Sequence, residues 1–462
     1  MSASRSILTK PKEFIFDSLK AIEDVIVSAA PGMISVITGA LTAVLVARGL
    51  GPFGMGEYAL AISVSSFTVA LSDMGIGQTA IRYASRAASQ ADAEGHFAIL
   101  RWTFRLRMLF VLGLSLVIFV LAPTIAGTIW HNESLTPILQ LSLLIGIFAT
   151  LAHVPVIYLQ SIRRFRMNSV IQVAQALITF AGILLVAFFA LWQVEVVIVV
   201  SVIATLIGAL AFITVTPKAA LFKFDNSLRS LRFRLRGALS PPAIKDDETS
   251  ASDSSSIGSF ARFNFLDKAV SAGTTYSPVW IMGIFLAMSQ IGVYSAANSV
   301  AIPISLLVTA TSTALWPRVA SATTLEGNRK LLRSAMLLAI PAAVGSLLYA
   351  VFAPLLMPFV FGAGYTSGIP VARLLCLGWC IWLLTLPIGL VGYNFGVVRI
   401  SWLINLAELI IIITVNVWLL PIIGPLAAAL AFVIAAIFGA AGNGIFLWRK
   451  IRRIATQEAI LG

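Results

Sequence analysis

Charged side chains within apolar sequence are the first feature of this chain that could carry chemistry. Asp73 and Glu408 lie deep inside long apolar runs, and Glu408 stands about 13 Å beyond Arg399 if its run is helical. A charge at such depth costs roughly 2.5 to 3.5 kcal/mol on insertion scales, so it tends to face a cavity or a partner. Two roles are open for both carboxyl groups. They either bind a proton or sodium ion or contact a polar headgroup, or they are neutral groups that hydrogen-bond between helices.

Three cations are placed where they could attract an anion. Arg48 and Arg373 lie near one end of the apolar runs, and Lys268 enters another run from the opposite end. Phosphate groups are recognised by the fork of arginine and the point charge of lysine. The plainer alternatives are snorkelling of Arg48 at a helix end and a local pair of Lys268 with Asp267. Arg373 is harder to explain in this way, because most basic residues gather at the opposite ends of the runs.

Composition places these residues in a membrane protein. Of the 462 residues, 59% are hydrophobic and 11% are charged, which is too apolar for a soluble fold. A helix of about 20 apolar residues satisfies its own backbone in lipid, and no alternating pattern of the barrel type is present. The chain is therefore predicted to be an all-α polytopic membrane protein.

Apolar runs are the elements that would position the charged residues. Twelve can be traced, at 25–46, 58–80, 108–129, 135–159, 170–191, 194–215, 265–288, 293–315, 331–352, 369–393, 400–420 and 422–447. With the N-terminus inside, basic residues collect on the inner side, including Arg101, Arg105 and Arg107 after the second run. This imbalance follows the positive-inside rule and predicts twelve transmembrane helices with both termini cytoplasmic. Contact with anionic lipid then explains the net charge of +13 without nucleic acid.

The runs divide into two sets of six. The predicted domains are a cytoplasmic segment (1–24), a six-helix bundle (25–215), a cytoplasmic linker (216–262), a second six-helix bundle (263–447) and a cytoplasmic tail (448–462). Apolar residues at helical spacing among basic ones predict an amphipathic helix on the inner leaflet at 221–236, with a regulatory target as the alternative. A Ser- and Asp-rich tether follows at 246–256.

A repeated segment relates the two sets. Residues 56–64 read GEYALAISV, residues 292–300 read GVYSAANSV, and each copy lies at a matching point of its half. We interpret the pair as the trace of a duplicated membrane unit, with chance similarity between apolar segments as the alternative. The predicted architecture is two pseudo-symmetric six-helix bundles.

The loops around the repeat resemble those of a known family. They read ARGLGP at 47–52, GEY at 56–58, DMGIG at 73–77, GVYSAA at 292–297 and FGAGY at 361–365. These segments are similar to signatures of the polysaccharide transporter family, the flippases of lipid-linked oligosaccharides within the multidrug, oligosaccharidyl-lipid and polysaccharide exporter superfamily. Many of those relatives have fourteen spans, and this chain lacks the final pair.

The resemblance implies a function. It implies two bundles around a central cavity, and alternating access that moves a polyprenyl-diphosphate-linked oligosaccharide from the inner to the outer leaflet of the bacterial cytoplasmic (inner) membrane. Such transport serves the synthesis of surface polysaccharide, either O-antigen of lipopolysaccharide or exopolysaccharide. The expected partners are the lipid-linked oligosaccharide, membrane lipids and polysaccharide polymerase or export machinery.

The chain is predicted to be a transporter and not an enzyme. It has no Gly-rich Lys-Ser/Thr nucleotide loop, so no cofactor is expected, and any energy would come from an H⁺ or Na⁺ gradient or from mass action. Cys376 and Cys380 are interpreted as small apolar side chains and not as metal ligands. The alternatives are a multidrug or ion-coupled small-molecule antiporter of the same superfamily, a membrane-embedded polymerase or ligase, and a non-transporting scaffold.

Prolines within the runs are candidate hinges. Each of them removes a backbone hydrogen bond and can kink its helix, which a rocking transporter could use, although static bends are an equal alternative. These prolines are Pro31, Pro303, Pro341 and Pro387. Trp280, Trp379 and Trp382 lie deep enough to stack on sugar rings, but core packing is the simpler interpretation.

Overall fold

Helices form every regular element in the described part of the chain. The computed structural model describes residues 11–73, 75–221, 254–301, 304, 325–394 and 398–461. The helices are α1 (Pro11–Ser72), α2 (Ile76–Ser89), α3 (Ala93–Thr124), α4 (Leu135–Ser161), α5 (Phe165–Phe188), α6 (Val194–Thr214), α7 (Lys218–Leu221), α8 (Ser254–Phe285), α9 (288–301), α10 (Leu325–Phe361), α11 (Ile369–Asn394), α12 (Val398–Ile423) and α13 (Leu426–Leu461). A π-helical turn (Ile125–Ile129) extends α3, and a 3-10 helix (Ala363–Gly368) joins α10 to α11. The all-α prediction is confirmed for these residues.

Helix order and several boundaries agree with the apolar runs. Within the described ranges, 9 helices are long and apolar enough to cross a membrane. α4 begins at Leu135 and α6 at Val194, as predicted. The short junction between the last two runs is also confirmed, since α12 ends at Ile423, Gly424 adopts a φ of 62°, and α13 begins at Leu426. The count of twelve spans and the cytoplasmic termini stay predictions.

A break inside α1 separates the first two apolar runs. Gly51 has a φ of 67° and a ψ of 179°, a combination that residues with a Cβ rarely adopt. The 62-residue helix therefore consists of two helical segments that meet at this glycine. The ARGLGP signature thus marks a change of chain direction.

The predicted second span, 58–80, is wrong at its end. The helix stops at Ser72, Gly75 adopts a left-handed φ of 68°, and a separate helix, α2, begins at Ile76. Left-handed backbone suits glycine and disfavours residues with a Cβ, so the DMGIG sequence ends the helix although its apolar content continues. On α2, Ile76, Ala80 and Ala84 are buried. Asp73 consequently lies in a turn and not in the middle of a span.

The helix that contains the third predicted span begins before the apolar run does. α3 starts at Ala93, where the carboxylate of Asp92 caps the first turn. Arg101, Arg105 and Arg107 were expected in an inner loop, but all three lie on α3. An apolar-run criterion stops at charged residues, whereas a helix continues as long as its backbone bonds are made. Arg107, moreover, is only 1% exposed, so the prediction that the basic residues here contact anionic lipid is wrong for it.

The linker predictions fall mostly outside the described residues. α7 covers Lys218–Leu221, where the predicted amphipathic helix would begin, and α8 begins at Ser254, inside the predicted tether. Residues 222–253, which carry the rest of both predictions, lie outside the described part, as does Pro303. The domain boundaries in this region stay predictions.

The two halves share one large apolar core. Leu60 and Leu139 of the first half and Met282 and Ala372 of the second belong to the same cluster of buried residues. The contact of α1 with α8 adds a polar bond, because the indole N–H of Trp280 donates to Ser63 Oγ at 2.9 Å.

Trp280 is a packing residue of this interface. Its ring also meets that of Phe67 edge to face, with centroids 4.7 Å apart. Packing, the simpler of the two interpretations of Trp280, fits these contacts. Trp379 likewise packs on Phe432, with ring centroids 5.5 Å apart.

Candidate transport site

Two glycines of the repeated segment meet where the halves join. A Cβ on Gly56 would collide with the carbonyl oxygen of Met288, and one on Gly292 would collide with the carbonyl oxygen of Pro52. α1 and α9 therefore approach each other backbone to backbone. This contact explains why both copies of the repeat have glycine at this position, because any side chain there would push the halves apart.

Polar contacts fasten the same region. The hydroxyl of Tyr365 donates to the backbone carbonyl of Ala47 at 2.6 Å. Arg48 donates from Nε to the carbonyl of Val360 at 2.7 Å and from Nη2 to the carbonyl of Phe359. Both carbonyls are in the last turn of α10, where a cation is also favoured by the helix dipole. Arg48 therefore caps a helix of the opposite half.

These contacts form one unit, which we call the seal. It consists of Ala47, Arg48, Gly56, Gly292 and Tyr365. The seal lies in the segments that the charge distribution predicts to face outside. It joins the halves through a close glycine contact and a few hydrogen bonds at one edge of the apolar core that they share.

A cavity of about 440 Å³ lies beside the seal. Pro52 lines it from the first half, and Gln290, Gly364 and Pro425 are among the residues that line it from the second. None of its lining residues is charged. An anionic headgroup would therefore find no countercharge in this cavity.

Tyr365→Phe is expected to weaken the seal while preserving its packing. The change leaves the ring in place and removes one buried hydrogen bond, a loss of about 1 kcal/mol or about fivefold in the closed population. The reporter is disulfide formation between Pro52→Cys and Gly364→Cys in a chain in which Cys376 and Cys380 are replaced. A Cβ at Gly364 would stand 3.3 Å from Cγ of Pro52, so the two thiols can meet. An unchanged disulfide yield, equal to that of the control Tyr83→Phe on α2, would contradict this role.

An ion pair with a buried arginine lies at the other end of the first half. Arg107 Nη1 donates to Asp73 Oδ1 at 2.8 Å. The carboxylate folds back onto Gly77, where a Cβ would leave it too little room. Both glycines of the DMGIG segment therefore have a structural role. Gly75 permits the turn, and Gly77 leaves space for the carboxylate of Asp73.

The depth of this pair can be judged along α3. Arg101 donates to the carbonyl of Ala219 in α7 at 2.7 Å and so marks the predicted inner edge of the bundle. Arg107 stands about 9 Å further along the helix. The ion pair is thus inside the bundle, near its predicted inner end.

A histidine completes the group. His153 on α4 interacts electrostatically with both Arg107 and Asp73. Its Nδ1 lies 2.9 Å from the carbonyl oxygen of Ala149, so Nδ1 carries the hydrogen and Nε2 keeps a lone pair. We call Asp73, Arg107 and His153 the inner node. Sequence reasoning found Asp73, treated Arg107 as a topology signal and gave His153 no role. The signal for His153 was its position within an apolar run, as it was for Asp73.

The second half holds Glu408 between helices. Glu408 is partly buried on α12, and its Oε1 lies against Gly439 of α13, where a Cβ would collide with it. One turn earlier, the side-chain amide of Asn405 donates to Asp267 Oδ1 at 2.9 Å. Asp267 thus bonds to α12, whereas the sequence suggested a local pair with Lys268.

The remaining candidates lie apart from the seal and the inner node. Lys268 on α8 and Arg373 near the start of α11 are both exposed. Of the hinge candidates, Pro341 is exposed on α10 and Pro387 is buried on α11, and both helices continue through them. α1 likewise continues through Pro31, and its break is at Gly51.

Comparison with solved structures defines the class of fold. An inward-facing multidrug resistance MATE family transporter of the MOP superfamily superposes with a TM-score of 0.66 at 12% identity, covering 90% of this chain and 96% of that one. The lipid II flippase MurJ in an inward closed conformation gives 0.68 at 15% identity, with 94% and 91% covered. A mutant of the Vibrio cholerae MATE transporter VcmN gives 0.62 at 13% identity, with 93% and 97% covered. The chain therefore shares the fold of these three structures.

One protein family matches the sequence of the first half. Residues 21–240 match the family described as "Polysaccharide biosynthesis protein". This range contains the ARGLGP, GEY and DMGIG segments. This match supports the resemblance of those segments to the polysaccharide transporters. The three solved structures named above are two transporters and a flippase. Among curated proteins, none matches this sequence.

Proposed function

We propose that the protein is a flippase that carries a polyprenyl-diphosphate-linked oligosaccharide from the inner to the outer leaflet of the bacterial cytoplasmic membrane by alternating access. The observation that carries this proposal is the match of residues 21–240 to a polysaccharide biosynthesis family on a chain with the MOP fold. The product would supply surface polysaccharide, either O-antigen or exopolysaccharide. The polymerase or export machinery would act on the flipped product.

The physical task explains why a protein is required. A sugar diphosphate cannot cross hydrocarbon unaided, because each unsatisfied polar group costs several kcal/mol there. The polyprenyl tail has the opposite preference, since moving it into water costs about 0.8 kcal/mol per CH₂. Two bundles that part alternately on each side offer the headgroup a polar path while the tail stays in lipid.

The seal is suited to be the outer gate of such a cycle. It joins the two halves through residues of α1, α9 and α10 and of the segment after α10, and these are the segments that carry the family resemblance. Opening it would break these hydrogen bonds and the glycine contact, and would separate the apolar side chains that pack around them. The cargo would then leave on the predicted outer side.

Lys268 and Arg373 are proposed to contact the diphosphate along the path. Both are exposed, and each offers donors that suit phosphate oxygens. The double variant Lys268→Gln and Arg373→Gln is expected to lower flipping by at least about tenfold, which corresponds to about 1.4 kcal/mol. Flipping is measured as exposure of labelled lipid-linked oligosaccharide on the outer leaflet of vesicles. Full activity of the double variant would exclude this role, and Arg166→Gln, an exposed arginine at the start of α5, serves as control.

Deletion of the gene tests the proposed function directly. Cells lacking the protein are expected to accumulate a lipid-linked oligosaccharide on the inner leaflet and to lose a surface polysaccharide, which mass spectrometry of extracted lipids would identify. Expression of the wild-type chain should reverse both effects. If no lipid-linked sugar accumulates, the proposal is wrong.

A multidrug or ion-coupled antiporter is the second candidate. It is favoured by the similarity of fold to two MATE transporters. This candidate predicts that deletion lowers resistance to cationic drugs while surface polysaccharide is unchanged. The two functions are therefore separated by the same deletion strain.

A further inference from the structure

The cavity beside the seal, which we call the outer cavity, has polar groups in its walls. Its volume of about 440 Å³ is in the range of small-molecule sites. Its lining includes Pro52, Ser289, Gln290, Gly364, Ser367 and Pro425. Within the described residues, the side chains of Ser289, Gln290 and Ser367 make no hydrogen bond to the chain. Two hydroxyl groups and one amide, each able to donate and to accept, are therefore available to a ligand.

Prolines give the outer cavity rigid walls. Pro52 follows the break in α1, Pro370 is the second residue of α11, and Pro425 lies between α12 and α13. A proline ring fixes φ, so these segments hold their shape. The amide of Gln290 reaches the turn before α13, since its Nε2 would lie 3.6 Å from a Cβ at Gly424. A preformed site of this kind loses little freedom when a ligand binds.

The electrostatics of the outer cavity favour an uncharged ligand. No lining residue is charged, and Arg48 in the neighbouring seal already donates to the carbonyls of Val360 and Phe359. α9 and α13 both begin at the cavity, and residues of their first turns line it. The positive ends of these helix dipoles oppose a cation and favour oxygen acceptors. A diphosphate would find no basic side chain here, whereas hydroxyl groups match the lining.

The outer cavity belongs to the side of the protein that is predicted to face outside. Pro52 follows the first span, Ser289 lies between the seventh and eighth, Ser367 precedes the tenth, and Pro425 is at the junction of the last two. The charge distribution places all four segments outside. Under the proposed function, this is the side on which the sugar end of the cargo is released.

From these observations we infer that the outer cavity binds the uncharged sugar units of a saccharide on the outer side, and that the bound saccharide holds the seal closed. The amide of Gln290 and the hydroxyls of Ser289 and Ser367 exchange hydrogen bonds with sugar hydroxyls. The apolar faces of the sugar rings pack on the prolines. The inference rests on the proposed function, because the saccharide reaches this side as the product of transport.

Pro52 connects the outer cavity to the seal. It lines the cavity from the first half, and its carbonyl oxygen is the atom that a Cβ on Gly292 would meet. When the halves part, Pro52 moves away from the second half and the cavity loses a wall. A ligand that binds only the closed form favours it by a factor of 1 + [L]/Kd, which is about tenfold at ten times Kd. Product that accumulates outside would therefore slow the next cycle.

Binding is measured without any transport. Ser367→Cys is introduced into a chain whose 2 native cysteines are replaced, and its reaction with a maleimide is followed in full-length protein in lipid nanodiscs. The probe is the oligosaccharide released by mild acid from the lipid of the deletion strain and freed of phosphate. At ten times Kd it should slow the reaction by about tenfold. The control, Gln193→Cys at an exposed position on another outer loop, should react at an unchanged rate.

Two comparisons decide what the outer cavity recognises. Gln290→Leu retains most of the side-chain volume and removes the amide, so it should raise the Kd measured at Ser367→Cys by at least about tenfold. Gln193→Leu should not change this Kd. Inorganic diphosphate should give no protection, and equal protection by diphosphate would overturn the inference. Absence of protection by the oligosaccharide, or equal protection of Gln193→Cys, would overturn it as well.

Control of the seal is tested by flipping in right-side-out vesicles with the oligosaccharide added outside. At ten times Kd, flipping by the wild-type protein should slow by up to about tenfold, and flipping by Gln290→Leu by about twofold or less relative to its own rate without oligosaccharide. Binding that leaves the wild-type rate unchanged overturns the inference alone. Absence of flipping in wild-type vesicles overturns the proposed function, and the maleimide reaction does not depend on flipping.

Discussion

Gly56→Ala is expected to abolish closure of the seal and to lower flipping by at least about 100-fold. The added Cβ would collide with the backbone carbonyl of Met288, which cannot rotate away as a side chain can. Overpacking a close contact costs about 1 to 3 kcal/mol even where side chains can yield, and here two helices must separate. The disulfide reporter at positions 52 and 364 should show a matching loss of the closed state.

Matched controls separate this effect from the general cost of replacing glycine in a helix. Gly39 on α1 and Gly113 on α3 have no atom within 4 Å of an added Cβ, so Gly39→Ala and Gly113→Ala should retain closure and flipping. Gly292→Ala should behave like Gly56→Ala, because its Cβ would collide with the carbonyl of Pro52. Normal activity of both seal variants would show that the seal does not need to close during transport.

Asp73→Asn is expected to lower the free energy of unfolding more than the other substitutions proposed above. It leaves the guanidinium of Arg107 buried without a countercharge, and removing one partner of a buried ion pair costs about 3 to 5 kcal/mol. The measurement is denaturant unfolding of the purified protein in detergent, followed by tryptophan fluorescence.

The double variant Asp73→Asn and Arg107→Met provides the decisive comparison. It removes the unpaired charge, so its free energy of unfolding should be higher than that of Asp73→Asn alone by about 2 kcal/mol or more. Arg105→Gln, at an exposed position on the same helix, should change stability by less than about 0.5 kcal/mol. If the effects of Asp73→Asn and Arg107→Met simply add, the ion pair does not hold this end of the bundle together.

Local pattern was enough to predict much of the fold. The length of an apolar run and the polarity of its ends are properties of neighbouring residues, so the starts of α4 and α6 and the junction at Gly424 could be placed from sequence. The same criterion failed at the second run, because one glycine with left-handed backbone ends the helix while the apolar content continues. It failed again at the start of α3, where a cap starts a helix within polar sequence.

By itself, the sequence determined the class of protein, the order of its helices and the family that its glycine-rich segments resemble. Only the tertiary structure decided the partners of the charged residues. Arg48 binds a carbonyl that lies 312 residues away, and Arg107 pairs with Asp73 across 34 residues. The physical reason is that hydrophobic patterning fixes which segments enter the membrane, whereas the pairing of two buried charges depends on which helix faces come together.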